Sequence, residues 1–329
     1  MRAGSYAMEF RYSREVDPTV YETDGLDYGI PLRIHRDQPE EIKGTLRAHR
    51  DWTKYIQPVM GYHGGLGDPY SFMCVTVPEC LPDRLEMISY ANEYAFLYDD
   101  WMESFDLKKD LGEDGGFLET FGAGALGGKI DAKTRPEKRL QLQLLSEMMA
   151  KDPERAITTM KAWAGFVQSA SKTRSAPFET LDQYMPARAI DAGEGIWFGT
   201  LTFGMGLTIP DDELDLCMKL ARPAYIALGL VNDLYSWEKE RAASVKAGHD
   251  YVFNAIWVIM KERSVGEEEA KKICHEETIK AISTYCQTLE KTRNDFSLSH
   301  DLRTYLEAVL LSYIGNLVWS IYCPRYRDF

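Results

Sequence analysis

The stretch NDLYSWEKE, residues 232–240, places an amide, a hydroxyl and a carboxylate at intervals of four: Asn232, Ser236 and Glu240. On an α-helix these positions lie nearly on one face, so three oxygen donors stand in a row. The row directly follows a strongly apolar run, Tyr225, Ile226, Leu228, Leu230 and Val231. The face that carries it therefore continues a buried helix, where unpartnered polar groups are costly. The stretch reads as half of a metal site built on the wall of a helical core.

Outward from this helix, segments of helical periodicity follow one another from about residue 39 to the end, without a repeat or a Pro/Ser-rich linker. Residues 82–106 open with Pro82 and Asp83 and place Leu85, Ile88, Ala91 and Ala95 on one stripe. The Gly-, Asp- and Lys-rich segment 107–136 reads as an exposed loop before the helix QLQLLSEMMAKD. Helices follow at about 154–171 and 178–207, the second interrupted at DAGEGIW by Gly193 and Gly195. Pro210 with Asp211 and Asp212 starts the next helix, in which Pro223 predicts a kink before NDLYSWEKE. The last helices are expected over about 249–264, 266–298 and 301–323. FMCVTVPEC, the best strand candidate, is short and contains Pro78, so no sheet is needed and the chain reads as one all-α domain.

Composition narrows the function. With 329 residues, 45% of them hydrophobic, the chain can bury a large core. A net charge of −13 and the lack of any basic run argue against a nucleic-acid partner. Six cysteines without a CxxC pair and six histidines without HxxxH argue against structural zinc or a disulfide framework and fit a reducing compartment. The N-terminal stretch lacks the apolar core of a signal peptide, and no apolar run approaches the ~20 residues of a membrane span. The expectation is a cytosolic protein.

A second oxygen-rich set stands at Asp99, Asp100 and Glu103, a DDxxE in which Asp99 and Glu103 share a helix face. Clustered carboxylates repel one another unless a cation neutralises them, and hard oxygen donors suit Mg²⁺ held jointly with phosphate oxygens. A hydrated acidic helix end is the plain alternative. Paired with the row at Asn232, Ser236 and Glu240, however, the set gives two ligand rows that can clamp a diphosphate through bridging Mg²⁺ and aim its organic tail into an apolar cavity. Lys239 is placed to contact the same diphosphate, or is simply a solvated lysine.

LYDDWME followed by NDLYSWEKE in an all-helical chain resembles the class I terpene cyclases, whose second motif has the form N-D-x-x-S-x-x-x-E. PLRIHRDQ, TLRAHRDW and YMPARAIDAGEGIW are similar, more narrowly, to the cyclase domain of fungal bifunctional di- and sesterterpene synthases. The resemblance covers nearly the whole chain. It implies a single helical bundle over residues 1–329 with a central active-site cavity. It also implies a trinuclear Mg²⁺ cluster bound by Asp99, with Asp100 and Glu103 beside it, and by Asn232, Ser236 and Glu240. Arg188 matches the family's diphosphate-sensing arginine, and a guanidinium suits bidentate phosphate contact. Arg325 and Tyr326 resemble the C-terminal Arg-Tyr pair that donates to the diphosphate. DAGEGIW, with Asp191, Gly193 and Gly195, resembles the helix break that faces the ionising carbon. Glu103 departs from the commonest form, which has Asp there. Bifunctional members continue into a C-terminal prenyltransferase domain, so the chain is expected to be such a cyclase domain, excised or standing alone.

Departure of diphosphate leaves an allylic carbocation, which demands stabilisation of the leaving anion and exclusion of water. Aromatic faces stabilise cations without attacking them. Phe96, one turn before Asp99, and Trp319 lead the candidates, followed by Phe72, Trp163, Trp197, Phe198 and Tyr322. No side chain stands out as the final base, and diphosphate itself can serve. The expected reaction is cyclisation of geranylgeranyl diphosphate to a polycyclic diterpene hydrocarbon, with geranylfarnesyl diphosphate second and a sesquiterpene substrate third. A chain-elongating prenyltransferase would carry a second DDxxD where NDLYSWEKE stands, and a non-catalytic helical scaffold would need neither Arg188 nor Arg325. Two lookalikes fail on context. Gly122, Gly124 and Gly127 match GxGxxG but no strand precedes them, and DDELD at 211–215 sits at a helix start, where acidic residues favour the dipole.

Overall fold

The computed structural model describes residues 8–59, 61, 64–103, 135–173 and 177–327, leaving aside the side chains of residues 99, 102, 103 and 167–173. The expected loop at 107–136 and the GxGxxG glycines lie outside the described residues, apart from the last two residues of that loop. Eleven α-helices are described: α1 Gln38–Tyr55, α2 Phe72–Thr76, α3 Pro82–Glu103, α4 Pro136–Lys151, α5 Pro153–Thr173, α6 Leu181–Asp191, α7 Glu194–Met205, α8 Leu214–Ala247, α9 Ala255–Arg263, α10 Glu267–Thr292 and α11 His300–Tyr322.

The chain is organised around α11. Every residue from Thr304 to Ile321 is buried, the signature of a helix enclosed on all sides by others. α8 and α2 pack directly on it, α10 flanks α8, α1 lies along α3, and α5 packs against α7. Close approach is secured by glycine. A Cβ on Gly315 would overlap the Val75 carbonyl of α2, and one on Gly44 would overlap the Glu86 carbonyl of α3. Gly44→Ala is therefore expected to destabilise the α1–α3 seam by about 1–3 kcal/mol, read as a lower denaturation midpoint at unchanged slope. An unchanged midpoint would mean that the seam can spread at no cost. Among the described residues, no helix is long and apolar enough to cross a membrane.

The all-α expectation holds, with local corrections. A two-stranded antiparallel ribbon, β1 Ser13–Glu15 with β2 Arg33–His35, pairs Arg14 with Ile34. Strands of three residues are too short for alternation to announce them. FMCVT forms the helix α2. α8 begins at Leu214, four residues after Pro210, and runs unbroken through Pro223. It ends at Gly248 in the left-handed region (φ 72°), and Asn254 caps α9 through its side chain, so the helix expected from 249 starts at Ala255. The break in 178–207 falls at Ala192 and Gly193, where Gly193 has φ 95°. Gly195 lies inside α7, where a Cβ would press on the Ala162 carbonyl at 3.1 Å.

Candidate active site

The C-terminal half of α8 carries the row anticipated at Asn232, Ser236 and Glu240. The Asn232 carboxamide is held from two sides: its oxygen accepts from Arg188 Nη2 at 2.5 Å and its nitrogen donates to Tyr326 Oη at 2.6 Å. Glu240 Oε2 accepts from Asn254 Nδ2 at 3.0 Å. Ser236 is buried, and its Oγ has no hydrogen-bond partner among the described residues. A buried hydroxyl without a partner is costly unless something else uses its lone pairs.

Behind this row lies an ionic network that the sequence reading missed. Asp233 is fully buried; its Oδ1 accepts from Arg188 Nε at 2.8 Å, and its Oδ2 accepts from Tyr184 Oη at 2.7 Å and from the Ala255 amide at 3.0 Å. Burial pushes the Asp233 carboxyl up to about 7, against the opposing pull of Arg188 and these hydrogen bonds. Arg188 also donates from Nη1 to Asp191 Oδ2 at 2.9 Å, so it ties the last turn of α6, just ahead of the break, to α8. Gly229 leaves room for it, since a Cβ there would meet Arg188 Cγ at 2.9 Å. The available signals were the D of N-D-x-x-S and Tyr184, one turn before Arg188.

Across from α8, the acidic end of α3 presents Asp100. Arg325 grips it in bidentate fashion, Nη1 to Oδ2 and Nη2 to Oδ1 at 2.7 Å each, and Lys239 Nζ reaches Oδ1 at 3.3 Å. Burial alone would raise this carboxyl, but the Arg325 hydrogen bonds and charge, with Lys239, hold it below the ordinary carboxylate range. Lys239 and Arg325 therefore meet on one residue of the first motif. The side chains of Asp99 and Glu103 lie outside the described residues; their positions on α3 flank Asp100. Arg325 and Tyr326 share one short turn, Pro324–Tyr326, and reach Asp100 and Asn232 respectively. The two motifs thus face each other across a gap bridged by three side chains.

Beneath the motifs lies an aromatic cluster. Phe96 and Trp319 stack with centroids 5.9 Å apart and planes 8° from parallel. Phe72 meets Trp319, Phe96 and Trp197 edge-on at 4.7, 5.5 and 5.7 Å. Tyr326 adds its edge to Trp319, and Arg325 Cζ lies 4.9 Å from the Phe96 ring centroid. Three other candidates point elsewhere. Trp163 donates to the Ile196 carbonyl between α5 and α7, Phe198 packs on Tyr305, and Tyr322 accepts from the Glu22 amide beside Tyr70. Sequence spacing alone could not say which way these rings turn. Asp211, Asp212 and Asp215 are exposed at the start of α8, away from both motifs, as expected of a dipole-favoured helix start.

The donors fit a hard divalent cation: an amide oxygen, a carboxylate and an otherwise orphaned buried hydroxyl on one helix face.

Comparison with known proteins agrees with this geometry. Residues 90–284 match the family model described as terpene synthase family 2, C-terminal metal binding. Fusicoccadiene synthase of Phomopsis amygdali is 47% identical over 333 residues, covering 97% of this chain and 46% of that protein. A bifunctional sesterterpene synthase of Aspergillus aculeatus is 39% identical, with 97% of this chain and 45% of that protein covered. The chain thus spans about half the length of these curated relatives. Among solved structures, aristolochene synthase from Penicillium roqueforti superposes with a TM-score of 0.65 at 19% identity, over 86% of this chain and 95% of that one. With the class I terpene synthase fold, and with the two candidate ligand rows facing each other within the matched span, the chain belongs to terpene synthase family 2.

Proposed function

We propose that the chain ionises and cyclises a long prenyl diphosphate, geranylgeranyl diphosphate first, to a polycyclic diterpene hydrocarbon with release of diphosphate. The observation that carries this reading is the joining of the two motifs by Arg325, Tyr326 and Lys239 directly above the Phe72, Phe96, Trp197 and Trp319 cluster. Anion-binding groups and cation-tolerant faces are adjacent, as ionisation of an allylic diphosphate requires. Asp99, with Asp100 and Glu103 beside it, and Asn232, Ser236 and Glu240 would hold Mg²⁺, in a trinuclear set. When bound, the metal supplies positive charge to the leaving diphosphate oxygens.

The protein's own residues do the rest. Arg188, Arg325, Tyr326 and Lys239 offer N–H and O–H donors to diphosphate oxygens, each from a fixed position. Arg188 is already oriented by Asp233 and Asp191, so its guanidinium costs little ordering on binding. The apolar rings below exclude water and present π-faces to the hydrocarbon chain. The retained diphosphate, held beside the rings by these donors, is the proposed acceptor of the final proton.

Geranylfarnesyl diphosphate is the second reading, supported by the sesterterpene synthase among the relatives. A prenyltransferase domain in the full-length protein and a cytosolic location complete the proposal. Purified chain is to be incubated with Mg²⁺ and, separately, the C10, C15, C20 and C25 prenyl diphosphates, with and without isopentenyl diphosphate, and products read by gas chromatography and mass spectrometry. A cyclic hydrocarbon from the C20 substrate alone is expected. Longer diphosphates formed only with isopentenyl diphosphate would identify a prenyltransferase instead. A melting temperature unmoved by Mg²⁺ plus inorganic diphosphate would point to a scaffold.

A further inference from the structure

Two buried carboxylates that play no part in the motifs converge on the segment leading into α2. Glu93, on α3 and 1% exposed, accepts the Gly65 amide at Oε2 (2.9 Å), while its Oε1 lies 2.6 Å from His49 Nε2 of α1. Gly65 in turn accepts at its carbonyl from Trp319 Nε1 at 3.0 Å and from the Phe72 amide at 2.8 Å. One residue, Gly65, therefore links the Glu93 carboxylate through its N–H to the indole and to the backbone of the phenylalanine through its carbonyl, and those two rings meet edge-on at 4.7 Å. The fit around Gly65 is close, since a Cβ there would sit 3.3 Å from Glu93 Oε2 and 3.5 Å from Phe72 Cβ.

Glu41, on α1 and equally buried, accepts the next two amides, Met73 at 2.8 Å and Cys74 at 2.7 Å. The far end of α2 is fastened to the same ring cluster: Ser312 Oγ donates to the Thr76 carbonyl at 2.8 Å and accepts from Trp197 Nε1 at 2.8 Å. The Trp319 indole N–H thus ends on the segment itself, at Gly65, and that of Trp197 reaches it through the Ser312 hydroxyl of α11. Burying two carboxylates is expensive; Glu41 uses both oxygens on the backbone of this one segment, and Glu93 uses one there and turns the other to His49.

We propose that Glu93 and Glu41 are positioning residues that set the product outcome, by holding segment 64–76 so that Phe72, Trp319 and Trp197 present fixed faces to the substrate chain. The proposal rests on the cyclase reading above. A carbocation cascade branches between products whose barriers differ little, so a ring displaced by a fraction of an ångström redistributes products before it slows ionisation, which occurs at the motifs.

The test compares Glu93→Leu, which removes the acceptor for Gly65, with Glu93→Gln, whose carboxamide oxygen can still accept from it. The ratio of main to minor hydrocarbons is expected to fall by about fivefold or more in Glu93→Leu, with substrate consumption within about threefold of wild type, and to be restored in Glu93→Gln. Unchanged product ratios in folded Glu93→Leu would overturn the proposal, as would slower consumption without redistribution. If Glu93→Leu does not fold, Glu41→Gln, which keeps one of two acceptor oxygens, decides it: a smaller redistribution in the same direction supports the clamp and none overturns it. If the wild-type chain yields no cyclic hydrocarbon, the function proposal fails and the clamp is judged by near-ultraviolet circular dichroism. There Glu93→Leu must lose tryptophan ellipticity that Glu93→Gln keeps; equal spectra overturn the clamp.

Discussion

Replacing Asn232 by alanine is expected to lower turnover by about 10²–10³-fold, the scale on which a preorganised electrostatic contact acts, while leaving the fold intact. Asn232 is only partly buried, and its loss leaves Arg188 anchored by Asp233 and Asp191. The deficit should therefore appear as lost activity and a smaller thermal shift with Mg²⁺ plus diphosphate, and not as a lower melting temperature of the free protein. Activity within tenfold of wild type would remove Asn232 from the ligand set. Asp99→Ala is expected to behave in the same way.

The neighbouring residue should behave oppositely. Asp233→Ala is expected to cost about 3–5 kcal/mol of unfolding free energy, because it strips one side chain from three donors at once. The Arg188 guanidinium would keep Asp191 as its remaining buried counter-charge, and the Tyr184 hydroxyl and Ala255 amide would lose their acceptor. Asp233→Asn should lose less, since a carboxamide oxygen still accepts. Chemical denaturation of both variants measures this, and a wild-type midpoint in Asp233→Ala would contradict the network. Adjacent residues on one helix are thus expected to divide between chemistry, at 232, and cohesion, at 233.

What was legible in the sequence follows from the range of the interactions concerned. The row at Asn232, Ser236 and Glu240 and the break at Gly193 are encoded locally, by helical periodicity and by backbone conformation. Phe96 was legible because it stands one turn before Asp99, whereas its stacking on Trp319 was not. The bidentate grip of Arg325 on Asp100 joins residues 225 apart, and no local pattern reports that Asp100 points at a guanidinium. The contacts of Trp163 and Tyr322 were not legible for the same reason: a ring's helix face is readable, but which neighbour meets that face is set by tertiary packing. The β ribbon and the late start of α9 escaped because three-residue strands and a Gly248–Asn254 turn leave only a weak signature.

The turn Pro324–Tyr326 has a thermodynamic consequence. Because Arg325 reaches α3 and Tyr326 reaches α8 from adjacent positions of one short turn, a shift of the backbone under one contact is expected to move the other. Linkage then runs both ways: an anion drawn to one side shifts the affinity of the other by an equal factor. Deletions of the two side chains should accordingly be non-additive, in the manner of residues that share one element.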